Sequence, residues 1–518
     1  MLIFEWTLVL LVAAVALTAL ARRWHAPYPS LLAVLGCALV FLPGAPHFVL
    51  EPELALALFV APVLLDAAYD TSPRDLRDNW VPIAGLVLVA VGATTAAVAV
   101  VARWLVPDLP WAAAIALGAI VAPPDAAAAT AVLRSAPLPH RVLQILEGES
   151  LLNDATALLT YRVAVGAAMG ASVSVGHTAP LLLGVAVGSL VAGAALAWVG
   201  WRLLRFTEDV PSAIVLQFAG TFAVWIAAER VGLSGILTVV AYAIGIARVA
   251  PMSTPARVRV PAYAVWETAV FVLNALAFVL IGLQLGPILE RLSPAERHAY
   301  AIVALAVLAT VIVARIVWVM PYNWAVRWKI RRFGSSARRP LMQPSVGSGV
   351  IISWCGMRGI VTLAAALALP DGAQPFPFRD LILVTAFTVV LGTLVVQGLT
   401  VRPLLLWLDL RDDAPVEREA RLARQAALKA ALKSLHGNES LEAQTLRGEY
   451  KQLWSANGAE RADDDGRDAL PRLRRDTVVA ARRQLASLRD DGTIGDDAFH
   501  RVEKELDRAE LYAEGSGR

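Results

Sequence analysis

Cysteine is nearly absent. The 518 residues hold two, Cys37 and Cys355, each inside or beside an apolar run. That excludes a disulfide-rich secreted scaffold and leaves two small, reduced hydrophobes. Charge is scarce as well, at 17% of residues, where a soluble protein carries about 25%. The histidines are too dispersed to build a reactive cluster, and His25, His47, His140, His177 and His298 read as loop residues. No P-loop, nucleotide-binding glycine motif or nucleophile elbow is present, which argues against an ATP-driven pump and against a hydrolase. The net charge of +3 and pI near 8.9 do not describe a nucleic-acid face. The basic residues lie singly or in pairs between apolar runs.

What the chain does have is apolar length. Hydrophobic residues make up 57%, the mean hydropathy is +0.60, and nearly all of this mass precedes residue 410. A helix needs about 20 residues to cross the hydrocarbon of a bilayer. Thirteen apolar segments satisfy or approach that length: 4–20, 29–47, 52–68, 80–102, 111–133, 144–170, 178–200, 211–229, 232–250, 266–288, 299–321, 346–369 and 379–408. The expected fold class is therefore an all-α polytopic membrane protein. The first segment lacks a basic leader, carries Glu5 and ends in Arg22 and Arg23, so a retained helix is expected rather than a cleaved signal. Basic residues of the loops after segments one, three, five, seven, nine and eleven far outnumber those on the other side, which are Arg103, Arg230, Arg291, Arg297 and Arg379. The positive-inside rule then puts the N-terminus outside and the C-terminal tail in the cytoplasm.

Ionisable groups inside such segments cost roughly 2.5–3.5 kcal/mol each on insertion scales and are functional candidates. They are Asp66 in segment three, Asp125 in segment five, Glu147, Glu149 and Asp154 in segment six, Arg315 in segment eleven and Arg358 in segment twelve. Pro123 and Pro124 precede Asp125. Two prolines remove two amide donors and bend or break a helix, and broken helices beside a carboxylate are how secondary transporters hold ions. The plainer reading is a kink with Asp125 near an interface. In LEGESLLNDATALL, Ser150 and Asp154 are four apart, as are Glu149 and Asn153, so adjacent helix faces carry two carboxylates, a hydroxyl and an amide. Hard oxygen ligands suit a small cation, and desolvation favours the neutral carboxyl, so proton and cation compete for one group. Asp154 is the expected exchange residue. Asn153 cannot titrate, which favours one proton for one monovalent cation with no net charge moved. For Glu149 a structural ion pair is the preferred reading, with Arg315 or Arg358 as partner. Gly356 and Gly359 flank Arg358, permitting a second break or a close helix approach. A snorkelling arginine beside packing glycines is the alternative.

These residues also carry a resemblance. APVLLDAAY, IVAPPDAAAATAV, LEGESLLNDATALL, ERVGLSGILTVVAYAIGIA, VLNALAFVLIGLQL and GMRGIVTLAAALALP, spread over residues 50–405, resemble the bacterial NhaP-like sodium/proton exchangers of the monovalent cation:proton antiporter-1 group. The resemblance implies thirteen helices, two of them crossed and partly unwound (an NhaA/NapA-like antiporter fold), a homodimer in the bacterial inner membrane, and elevator motion of a core against a dimerisation subdomain. Cofactors are not expected; the partners are Na+ or another monovalent cation (Li+, K+), protons and lipid. It implies Asp154 as carrier beside Asn153, Asp125 as the unwound-helix aspartate, Ser150 as a further ligand, Glu149 paired with a later arginine, Arg315 first, and Asp66 as the acidic position of the third helix. Many relatives have Thr-Asp where this chain has Pro124 and Asp125, which removes a hydroxyl ligand.

Residues 1–410 thus form the exchanger domain, and 411–518 a soluble tail of three or four amphipathic helices with a polar middle, NGAERADDDGRDALP. DDGTIGDDAF lacks the acidic spacing and closing Glu of an EF-hand, so Asp496 is expected to cap a helix.

Overall fold

The computed structural model describes residues 2–24, 26–42, 51–71, 73–125, 139–170, 175–207, 209–254, 256–333, 344–371 and 374–410, together with short pieces between 429 and 451. The chain divides into two compact units, Met1–Asp413 and Ala414–Arg518.

The secondary structure among the described residues of the first unit is all helical. Its elements are α1 (Leu2–Trp24), α2 (Tyr28–Leu39), α3 (Pro52–Ala55, a π-helical turn Leu56–Val60, then Ala61–Asp70) and α4 (Pro73–Asp78). Next come α5 (Trp80–Ala84, a π-helical turn Gly85–Ala90, then Val91–Leu105), α6 (Trp111–Val121), α7 (His140–Ala168) and α8 (Val175–Leu204). The remainder are α9 (Val210–Arg230), α10 (Gly235–Ser253), α11 (Ala256–Leu283), α12 (Leu285–Glu290), α13 (Pro294–Phe333), α14 (Val346–Trp354), α15 (Ile360–Leu367) and α16 (Arg379–Leu408).

Among the described residues, eight helices are long and apolar enough to cross a membrane. The other five expected segments differ in an informative way. α2, α6 and the apolar part of α10 are shorter helices, segment twelve is split into α14 and α15, and α7 is 29 residues long but carries the charges. α13 runs 40 residues, about 60 Å at 1.5 Å per residue. It therefore outreaches the roughly 30 Å hydrocarbon layer and carries Arg327, Lys329, Arg331 and Arg332 on its C-terminal end.

Two sets of helices pack differently. α8 lies along α10, with α9 and α3 against α10. Small residues permit the contact: a methyl group on Gly193 would strike the Thr238 carbonyl, and one on Gly245 would come 2.6 Å from Ala197 Cβ. α5, α6, α7, α13, α14, α15 and α16 form the other set, with α6 between α5 and α7 and α13 against α16, α5 and α14. α2 joins α11 where Gly36 and Gly282 bring two backbones into contact, and it reaches α16 through Ser30 Oγ, which donates to the Leu394 carbonyl at 2.5 Å.

In the second unit the described pieces are helical turns, with Ala443 buried and the Arg447 guanidinium donating to the Leu435 carbonyl. The 452–518 stretch, with the Asp496 cap and the expected final helix, lies outside the described residues, as do His25 and His47.

Candidate functional site

The centre of the second set is where two helices stop. α6 ends at Val121, with Ala122 as its still α-conformed C-cap, and Pro123 to Asp125 lie outside the helix, as the proline pair favours. α14 ends at Trp354 and α15 starts at Ile360, so 355–359 is non-helical. The two breaks touch: the Asp125 amide donates to the Met357 carbonyl at 2.7 Å. Gly359 permits the approach, since a methyl there would land on the Asp125 carboxylate. Gly356 lies against the other charges, where a methyl would come 2.8 Å from Arg315 Cδ and 3.0 Å from an Arg358 nitrogen.

A helix C-terminus leaves carbonyls without partners, and in a membrane each costs several kcal/mol. Two arginines take them. Arg358 Nε donates to Val121 O at 2.9 Å, and a terminal nitrogen to Ala122 O at 3.0 Å. Its other terminal nitrogen bonds the Gly356 carbonyl, and its backbone amide donates to Thr393 Oγ1 of α16 at 3.0 Å. The cation therefore sits on the negative end of the α6 dipole. Arg358 is 1% exposed, so the snorkelling alternative gives way to a buried one.

Arg315 does the corresponding work for α14. Its Nε donates to Ile352 O at 3.0 Å, while its two terminal nitrogens bond the two Glu149 oxygens at 2.6 and 2.8 Å. This parallel fork is the strong arrangement for a guanidinium and a carboxylate. Of the two arginines considered from sequence, the structure sets Arg315 against Glu149. A cavity of about 450 Å³ reaches towards this pair, lined among others by Ile145, Val319 and Ile352, with Arg141, Tyr322 and Ser348 around it.

α7 brings the remaining groups. From Ile145 to Ala157 it is buried on nearly every side, so Glu149, Ser150, Asn153 and Asp154 all lie inside the protein. Asn153 Nδ2 donates to the Pro124 carbonyl at 2.8 Å. A carbonyl only accepts, so this bond fixes which way the amide points. Asn153 Oδ1 is then buried without a hydrogen-bond partner. Asp154 is 6% exposed, and Asp125 is close enough to act on it electrostatically. Ser150 is one turn before Asp154 on the same face. Asp66 is half-buried on α3, six residues after a π-helical turn, and α3 packs on both α15 and α10. Glu147 is within 3.5 Å of Gln144 on its own helix. Arg162, at the far end of α7, pairs with Glu229 of α9 at 2.9 Å.

Sequence reasoning did not find Thr393, which holds Arg358 in place, or the π-helical turns. A threonine in an apolar run gives no signal, because most bond their own helix as Thr388 does.

A buried, charge-paired centre between two broken helices is the kind of arrangement by which secondary transporters hold ions. Residues 9–407 match the transmembrane sodium/hydrogen exchanger family, and the chain belongs to it as an NhaP-like monovalent cation:proton antiporter. It is 30% identical over 512 residues to the uncharacterized Na(+)/H(+) exchanger YjcE of Escherichia coli strain K12, covering 94% of this chain and 92% of that one. It is 31% identical over 412 residues to the sodium, potassium, lithium and rubidium/H(+) antiporter of Bacillus subtilis strain 168, covering 76% of this chain and 60% of the relative. The fold resembles that of the sodium proton antiporter MjNhaP1 from Methanocaldococcus jannaschii, with a TM-score of 0.60, 17% identity, and 78% and 98% of the two chains covered.

Proposed function

We propose that this protein exchanges Na+, and Li+ with it, for H+ one for one, with Asp154 alternately protonated and cation-bound. The carrying observation is the meeting of the two breaks at Asp125, beside a buried carboxylate and a buried amide oxygen. Asp154, Asp125, Ser150 and Asn153 Oδ1 are the oxygen ligands of this reading. The Asn153 oxygen stands in for the hydroxyl that Pro124 cannot supply. Glu149 and Arg315 neutralise each other, and Arg358 balances helix ends, so none of the three competes for the cation. Net charge at the site then changes hands only at Asp154, which supports electroneutral exchange. Asp66 lies on the helix that packs against both sets.

In this reading thirteen segments cross the inner membrane, with the N-terminus outside and the tail of residues 411–518 in the cytoplasm. The two broken helices cross at the site. The set α5, α6, α7 and α13 to α16 moves as the elevator core against the dimerisation helices of a homodimer. A second reading exchanges K+ for H+ on the same ligands. The four-cation name of the Bacillus subtilis relative favours keeping it.

The test is cation-dependent proton movement in proteoliposomes with an imposed pH gradient and clamped membrane potential. Na+, Li+ and K+ are added separately to wild type and Asp154→Asn. Dissipation by Na+ or Li+ that the variant loses completely is the expected result. Activity with K+ alone would select the second reading. A folded wild-type protein silent with every cation from about pH 5 to 9, a window wide enough to hold a shifted carboxyl, would sink both.

A further inference from the structure

Gln397 of α16 is completely buried, with a relative exposure of 0%. Neither its amide nitrogen nor its amide oxygen has a hydrogen-bond partner. Burying an amide with nothing to bond is unfavourable, so the placement needs a reason.

Its neighbours on the helix say what it faces. Thr393, four residues earlier, accepts from the Arg358 backbone amide at 3.0 Å. Thr400, three residues later, accepts from Trp354 Nε1 at 2.9 Å. Residues four before and three after share the face of Gln397. Gln397 therefore lies between the points where α16 holds Arg358, inside the non-helical stretch 355–359, and Trp354, the residue just before it. A methyl on the next residue, Gly398, would come 3.6 Å from Met357 Sδ, which puts the same stretch beside it. That stretch carries the Met357 carbonyl bonded to the Asp125 amide and the Arg358 side chain on the end of α6. α16 is also bonded to α2 there, through Ser30 on the Leu394 carbonyl.

We propose that Gln397 is a positioning residue for the second break: its amide donor and acceptor engage the backbone of 355–359, directly or through one water, in the part of the exchange cycle where that stretch shifts. The inference rests on the exchange reading above, because it supplies the event that shifts the stretch. Through Met357, such a bond sets where Asp125 stands relative to Asp154. Gln397 does not touch the cation.

The experiment compares wild type with Gln397→Met, which conserves volume and removes the amide, in the full-length protein. Two measurements are made: hydrogen–deuterium exchange of the 355–359 amides, and the pH profile and apparent KM of cation-driven proton movement in proteoliposomes. Expected in the variant are faster deuteration of 355–359, and a pH profile displaced together with a KM changed on the order of 5-fold, the equilibrium worth of one ordinary hydrogen bond. Unchanged deuteration overturns the proposal whatever the transport does. Faster deuteration with an unaltered pH profile and KM also overturns it, because the contact would then be structural only. A wild type that deuterates normally but transports no cation is a failure of the exchange reading and is recognised separately.

Discussion

The α8–α9–α10 set and the α5–α7 and α13–α16 set are both buried, apolar and helical, yet they solve the problem of buried polarity in opposite ways. Among the described residues of α8, α9 and α10, the buried polar side chains are Ser189, Thr221 and Thr238. Each donates to the carbonyl four residues earlier in its own helix, at 2.7 or 2.8 Å. Those groups are satisfied before any helix meets another. The second set buries Glu149, Asp154, Arg315 and Arg358, and the bonds of Arg315 to Glu149, Arg358 to Val121 and Asn153 to Pro124 join residues distant in sequence. The polar groups of the first set need no partner from another helix, whereas Glu149, Arg315 and Arg358 are met by groups far away in the chain.

Removing half of the Glu149–Arg315 pair is the hardest blow to that contrast. Glu149→Gln or Arg315→Met alone leaves an uncompensated charge or an orphaned partner and should cost about 3–5 kcal/mol, read as a large loss of melting temperature in detergent. The double variant Glu149→Leu with Arg315→Met should recover most of it, because a packed apolar pair of similar volume replaces the charges. If the singles melt like wild type, the pair does not hold the set together. Next in size, Gly193→Val pushes α8 off the Thr238 carbonyl of α10 and should cost about 1–3 kcal/mol as overpacking. Its thermal loss should come without a change in the KM for cation, since no group of the candidate site lies there. A KM shift equal to that of a site variant would erase the distinction between the sets. Smallest is Arg162→Gln. Its pair with Glu229 is half exposed and worth about 0–1 kcal/mol, so melting should hardly move. A loss like that of Glu149→Gln would show that the two sets are coupled through this outer contact.

Much of the central site was legible because its chemistry leaves marks in an apolar sequence. Pro123, Pro124, Gly356 and Gly359 announce breaks, and a charge inside a span announces a partner. Which partner was only half legible. Two arginines fitted Glu149, and the choice depends on the register of α13 against α7, which hydropathy does not encode. Arg358 was expected to balance a side-chain charge, but it bonds backbone carbonyls, and carbonyls are invisible in a sequence. The π-helical turns Leu56–Val60 and Gly85–Ala90 were likewise illegible, being set by how neighbouring helices crowd rather than by residue type. Close helix approach was not legible from glycine alone: nothing lies within 4 Å of a methyl on Gly184, whereas Gly36 and Gly282 touch backbone to backbone.

The bonds from Arg358 to Val121 and Ala122 span 237 and 236 residues of chain. At about 5–20 residues per second, a ribosome needs on the order of ten to fifty seconds to make what lies between. For that interval α6 has emerged, yet the arginine that closes its end does not exist. Its bare carbonyls must stay near water or be shielded by the insertion machinery until α14 and α15 arrive. Biogenesis of this protein therefore has a waiting step built into its chain order, and a truncation before residue 358 should leave α6 poorly anchored however apolar it is.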